Sequence, residues 1–309
     1  MTNVTNIRPS KAPNLPVAPQ QYSDDFQNKF ENILRLYFNQ IDNAIGQLAT
    51  VTASTIGSSA TSPSYTISST ETPYALPPYL QVSRGLVSGT SVVNIYGYQA
   101  SVGTTFIPVW ENASNYTYPP SAITMVLYSS STSDTAVSIA ISGLDASYNP
   151  VSETLVCTGT AGATTVGTYL RINSINTTGT NNAVGDITLS NVGKTISYAK
   201  ILAGNGKNQS TIYTVPNGYT FYLTRVNAYT NQVGNLSSSY CTYRVYTKNS
   251  SGLVTILLQA PFGNSYSSYR VAPRAYAATT DIQWQANTPS STAAVGIAVE
   301  GILIANGTV

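Results

Sequence analysis

The sequence predicts a mainly β protein: an N-terminal extended arm and one helix, followed by two antiparallel β-sandwich domains. Three observations carry this expectation. From about residue 76 the apolar residues alternate with a period of two, turn signals recur at short intervals, and a single long 3.5-residue apolar repeat lies near the start. At 309 residues and 42% hydrophobic content the chain has enough apolar material for two or three β domains, each with its own core.

The first element is residues 1–21, where Pro9, Pro13, Pro16 and Pro19 recur every three or four positions. That spacing blocks helix and favours an extended, polyproline-like strip that serves as a tether or lies along another protein. A helix follows. Ser23 is placed to cap it, Asp24 and Asp25 put negative charge in its first turn, and the next proline is Pro63. Leu34, Phe38, Ile41, Ile45 and Leu48 form a coiled-coil-like seam, which Phe26, Phe30, Ile33 and Tyr37 widen towards the N-terminus. A short helix with so broad an apolar face is unstable alone in water and needs covering, by copies of itself, by a partner or by its own β domains. Residues 1–50 are therefore expected to be an attachment and oligomerisation module, with these nine residues at its contact surface, and residues 51–75 a linker rich in Ser and Thr.

The β elements come next. Val137, Ile139 and Ile141 alternate with small polar neighbours, and similar alternation marks 196–202, 254–258 and 297–304. Asn149-Pro150, Asn217-Gly218, Gly204-Asn205-Gly206 and Gly263-Asn264 separate the strands. The flexible run at 203–206 suggests a boundary, giving one sandwich over 76–203 and a second over 204–309.

Composition excludes most chemistry. The chain has no histidine, which removes Ser-His-Asp and Cys-His catalysis and histidine-ligated metals. Carboxylate chemistry would have to draw on Glu111, Asp134, Asp145, Glu153, Asp186, Asp281 and Glu300, and no local motif pairs them. Asp145, in the turn before Asn149, reads as an Asx-type cap and not as a calcium ligand. Cys157 and Cys241 stand far apart and read as buried apolar residues. No catalytic residue, cofactor or metal is expected. Charged residues make up 8% of the chain, against roughly 25% in an average soluble domain, and the net charge is +2 with the cations dispersed. That disfavours nucleic acid as a partner and points to a neutral polar surface suited to assembly. No signal-like or membrane-spanning apolar run is evident, so synthesis without export is expected. The 23 tyrosines are the positive feature. Tyr240, Tyr243, Tyr246, Tyr266 and Tyr269 are candidates for ligand contact, with cross-strand packing as their structural alternative.

Two stretches carry a resemblance. The segment 12–19 leading into 30–43 resembles the N-terminal module of virion proteins from tailed phages, cyanophages in particular. The stretches 134–145, 169–173 and 213–224 are similar to structural proteins of the same phages. The resemblance implies a non-enzymatic virion component, a capsid decoration, head fibre or tail fibre, made in the host cytoplasm and attached to other virion proteins through residues 1–50. A homo-oligomer is expected, a trimer above other states, because short apolar seams and fibre-like β domains suit threefold association. The alternative is a lectin-like, receptor-binding adhesin that recognises host surface glycans.

Overall fold

The computed structural model describes residues 26–39, 41, 77–112, 114–231, 240–289 and 292–307. The chain divides into two compact units, 1–63 and 64–309. In the first unit, residues 26–39 form helix α1, and residue 41 is helical as well. Phe26 and Phe30 stack one turn apart with ring centroids 6.1 Å from each other. On the polar side Gln27 donates to Glu31, and Arg35 donates to Asn32. The proline arm, the expected cap at Ser23, Asp24 and Asp25, the seam positions Ile45 and Leu48, and the linker 51–75 lie outside the described residues.

The first described element of the second unit is a short helix, Pro78–Ser83 (α2), in a stretch where the period-two pattern predicts only strands. Pro78 sits at its first position, where a proline costs no helical hydrogen bond, and Gly85 at φ +70° ends it. Among the described residues sixteen strands then form four sheets, every pairing antiparallel. Sheet I runs in the order Thr90–Val102 (β1), Ala293–Ala305 (β16), Tyr219–Thr230 (β11), Ser265–Tyr276 (β14). Sheet II is Ile212–Thr214 (β10), Asp281–Asn287 (β15), Cys241–Lys248 (β12), Val254–Phe262 (β13), with Ile107–Pro108 (β2) also on β15. Sheet III is Ala163–Thr164 (β6), Met125–Ser129 (β3), Ile187–Asn191 (β8), Ser197–Ile201 (β9). Sheet IV is Pro150–Val156 (β5), Ser138–Leu144 (β4), Arg171–Thr177 (β7).

Alternation places the cores. Ile139 and Ile141 of β4 join Met125 and Leu127 of β3 and Ile187 and Leu189 of β8 in one cluster shared by sheets III and IV. Tyr243 and Val245 of β12, Trp284 of β15, and Val295, Ile297 and Val299 of β16 belong to another, shared by sheets I and II. In β11 the inward positions switch from Phe221 and Leu223 to Val226 and Ala228, because a bulge between Leu223 and Arg225 adds one residue. Among the described residues, prolines within strands fall only on edges: Pro108, Pro150, Pro261 and Pro273 occupy β2, β5, β13 and β14, where a missing N–H costs least. Both cysteines are fully buried and free, Cys157 in one cluster and Cys241 in the other.

The pairing crosses the boundary read from the sequence. β1 and β2 precede residue 203, yet they pair with β16 and β15, so the segment 76–203 does not close on itself. Sheets III and IV use only residues from Met125 to Ile201, and they interrupt sheets I and II between β2 and β10. A composition shift at a flexible junction does not reveal that an edge strand has its partner about two hundred residues downstream.

Candidate functional site

Three kinds of surface or polar cluster bear on function, and helix α1 presents the first. Phe26, Phe30, Ile33, Leu34, Tyr37 and Ile41 are each half-buried and none is fully covered. Phe38 is 58% exposed and Leu36, outside the expected seam, 62%. The apolar stripe is thus real as a helical face and remains substantially open to solvent.

The five candidate tyrosines do not form one surface. Tyr243 is fully buried in the core against Tyr266, ring centroids 5.0 Å apart, which corrects its assignment to ligand contact. Tyr246 lies three residues on, an odd step, so the strand turns it to the outer side of β12, where it is half-buried. Tyr266 packs against the same core, while Tyr269, again three positions further, is 75% exposed on the opposite face of β14. Tyr240 is half-buried just before β12.

A different set of residues does converge, on the outer face of sheet I. The registers align Asn94, Glu300, Arg225 and Tyr269 in one cross-strand row, Tyr96, Ala298, Asn227 and Ser267 in the next, and Tyr98, Gly296, Tyr229 and Ser265 in the third. Tyr96 and Tyr229 lean over β16 from either side, and their hydroxyls hydrogen-bond to each other. Their rings are 6.4 Å apart and within 16° of parallel. Asn227 Oδ1 accepts from Ser267 Oγ at 2.8 Å. A groove of about 490 Å³ opens beside β1, between Asn94, Tyr96 and Glu300 on one wall and residues 205–209 on the other. A second, of about 350 Å³, continues it past Asn173 and Tyr213, sharing Asn94, Tyr96, Lys207 and Asn208. Sequence spacing could not find this face, since its members come from four strands and meet only through register.

The acids mostly serve local structure. Asp145 accepts from the amides of Ser147 and Asn149, the Asx turn expected, and these bonds, Asn149's first, lower its pKa. Burial works to raise the pKa of Asp134, but the Ser129 hydroxyl and the Val184 and Gly185 amides outweigh it and hold it lowered. Asp186 pairs with Lys200 at 2.8 Å, and Glu153 accepts from the Val166 amide. Asp281 is engaged by Arg171 through two bonds of 2.7 and 2.9 Å and by Thr214 at 2.7 Å. The Arg171 guanidinium also lies over the Tyr118 ring at 4.4 Å, so a buried, charge-assisted cluster ties sheet IV to sheet II.

Glu111 differs. Both carboxyl oxygens are shielded from solvent without a hydrogen bond of good geometry. Burial pushes its pKa up to about 7, against which the nearby Gln209 and Leu202 amides and the Asn205 side chain act only in part. Glu300 is exposed on the outer face of sheet I. Among the described residues no three Cys, Asp or Glu side chains gather as a metal centre, and no helix is long and apolar enough to cross a membrane.

Comparison with known proteins adds little. No family model matches the chain, and no curated protein matches it. Among solved structures, one similar chain is the D431N mutant VP2 protein of infectious bursal disease virus, in derived T=1 particles. It is 10% identical, with 71% of this chain and 77% of that chain covered, and the TM-score is 0.12, a similarity too slight to bear on fold or function.

Proposed function

We propose that this chain is a non-enzymatic structural component of a tailed-phage virion, a capsid decoration, fibre or tail fibre, assembled after synthesis in the host cytoplasm. In this reading the N-terminal module docks on other virion proteins or on further copies of the chain, a trimer being favoured. The β body is presented outward, sheets I and II forming one sandwich and sheets III and IV another. The observation that carries the proposal is the state of α1: an apolar stripe of which no described residue is buried, on a chain with very few charges to keep copies apart.

The test uses the full-length chain. Replacing Leu34 and Phe38 with Glu puts two charges into the stripe, and the double variant is expected to sediment as a monomer and to be missing from purified particles. The wild type is expected to be oligomeric and incorporated. A wild type that is monomeric at micromolar concentration, or a double variant that still joins particles, defeats the docking assignment.

A further inference from the structure

We propose that the outer face of sheet I around Tyr96 and Tyr229 binds a neutral oligosaccharide. The site is independent of how the chain attaches to anything larger, and its test does not involve α1.

The first argument is the attitude of the two rings. A Cβ built on Gly296 would stand 2.1 Å from Cζ of Tyr229, so this ring lies flat on the bare backbone of β16. Tyr96 faces Ala298 across the strands, again a small residue. The linked hydroxyls hold the rings as a pair, and Tyr96 and Tyr229 remain 38% and 40% exposed. Rings that lie down offer faces and not edges to solvent. Two nearly parallel faces side by side make a platform on which the C–H side of a pyranose can stack, with the tyrosine hydroxyls at its margin.

The second argument is the polar wall beside the platform. Asn208 is 92% buried, being 8% exposed, and its Oδ1 accepts the Ile175 amide at 3.0 Å. That bond fixes the orientation of the amide group, and its Nδ2 donors have no protein partner while the residue lines the groove. A buried amide with free donors at the mouth of a groove needs a hydroxyl or water oxygen to satisfy it. Asn94, exposed and in the row next to Tyr96, supplies a further donor and acceptor.

Charge selects the class of ligand. Arg225 stands opposite Glu300 on the face and Lys207 lines the groove's far wall, so two separated cations face one carboxylate, an excess of a single charge and not the cation cluster that a multiply sulfated or phosphorylated glycan calls for. The groove's volume falls within the range of about 300–1,000 Å³ usual for small-ligand sites. Flat aromatic faces, free amide donors and little net charge together describe a site for a neutral polyol.

The experiment applies the full-length protein to an array of neutral and anionic oligosaccharides, then measures affinity for the neutral compounds retained. Tyr96→Ala and Tyr229→Ala are each expected to weaken binding about tenfold or more with the melting temperature little changed. Tyr229→Leu, which keeps apolar cover on Gly296 but removes the aromatic face, should weaken it similarly, while Tyr229→Phe should stay within about threefold. Absence of binding to any neutral compound overturns the proposal. So does binding that survives Tyr229→Leu, or retention of anionic compounds alone in a salt-sensitive manner.

Discussion

At the scale of single residues, Glu111 gives the folded protein a pH dependence of definite sign. Its carboxyl titrates near 7 when folded and near 4.5 when unfolded, so between those values the folded state keeps a proton that the unfolded chain has lost. Stability therefore falls as pH rises from about 4.5 to about 7 and levels off above. Glu111→Gln should be more stable than wild type at about pH 8 and should lose most of the decline between pH 5 and 8, as read from urea midpoints. Asp134, Asp145 and Asp186, whose pKa values are lowered, act in a separate window: their contribution is complete above the ordinary aspartate value of 3.8 and is lost below it. Arg171 and Asp281 give the sharper test. Asp281→Ala leaves a buried guanidinium without its carboxylate and should cost about 3–5 kcal/mol in urea unfolding. Replacing both partners with Met and Leu should recover much of that loss, because the desolvation cost of the pair disappears with it.

At the scale of elements, alternation was readable wherever one face is buried and the other wet. Ile139 and Ile141 announce β4, and the even spacing of 297–304 announces β16. Gly263-Asn264 was legible as the turn between β13 and β14, although it carries the chain from sheet II to sheet I and does not close a hairpin. Period alone does not give register, and two differences between sequence and structure follow from that. Proximity in sequence groups the tyrosines, but steps of three on a strand separate Tyr243 from Tyr246 and Tyr266 from Tyr269. The platform of Tyr96 and Tyr229 was invisible for the converse reason. Helix α2 escapes the pattern because Pro77-Pro78 reads as a breaker unless the second proline begins the helix. Close approach between elements supplies a further prediction at Gly97 of β1, where a Cβ would lie 2.2 Å from the Val109 carbonyl oxygen. Since that neighbour is backbone, Gly97→Ala should destabilise by about 1–3 kcal/mol, measured by chemical denaturation.

At the scale of the whole molecule, the way the strands are shared out decides which pieces can stand alone. Sheets III and IV close a core from residues between Met125 and Ile201. Sheets I and II need β1 and β2 from before that stretch and β10 to β16 from after it. A fragment spanning 115–209 is expected to unfold cooperatively in thermal circular dichroism. A fragment spanning 204–309, the second domain suggested by composition, should show no such transition, since β16 would have an open side and Val102 and Val109 would be missing from its core. The same long-range pairing brings Thr90 opposite Ile304, and the Ala305 amide donates to the Gly89 carbonyl at 2.8 Å. Entry to the β body and exit from it therefore share one corner. A fluorophore or gold label grafted behind the last strand would therefore also mark the corner from which β1 sets out.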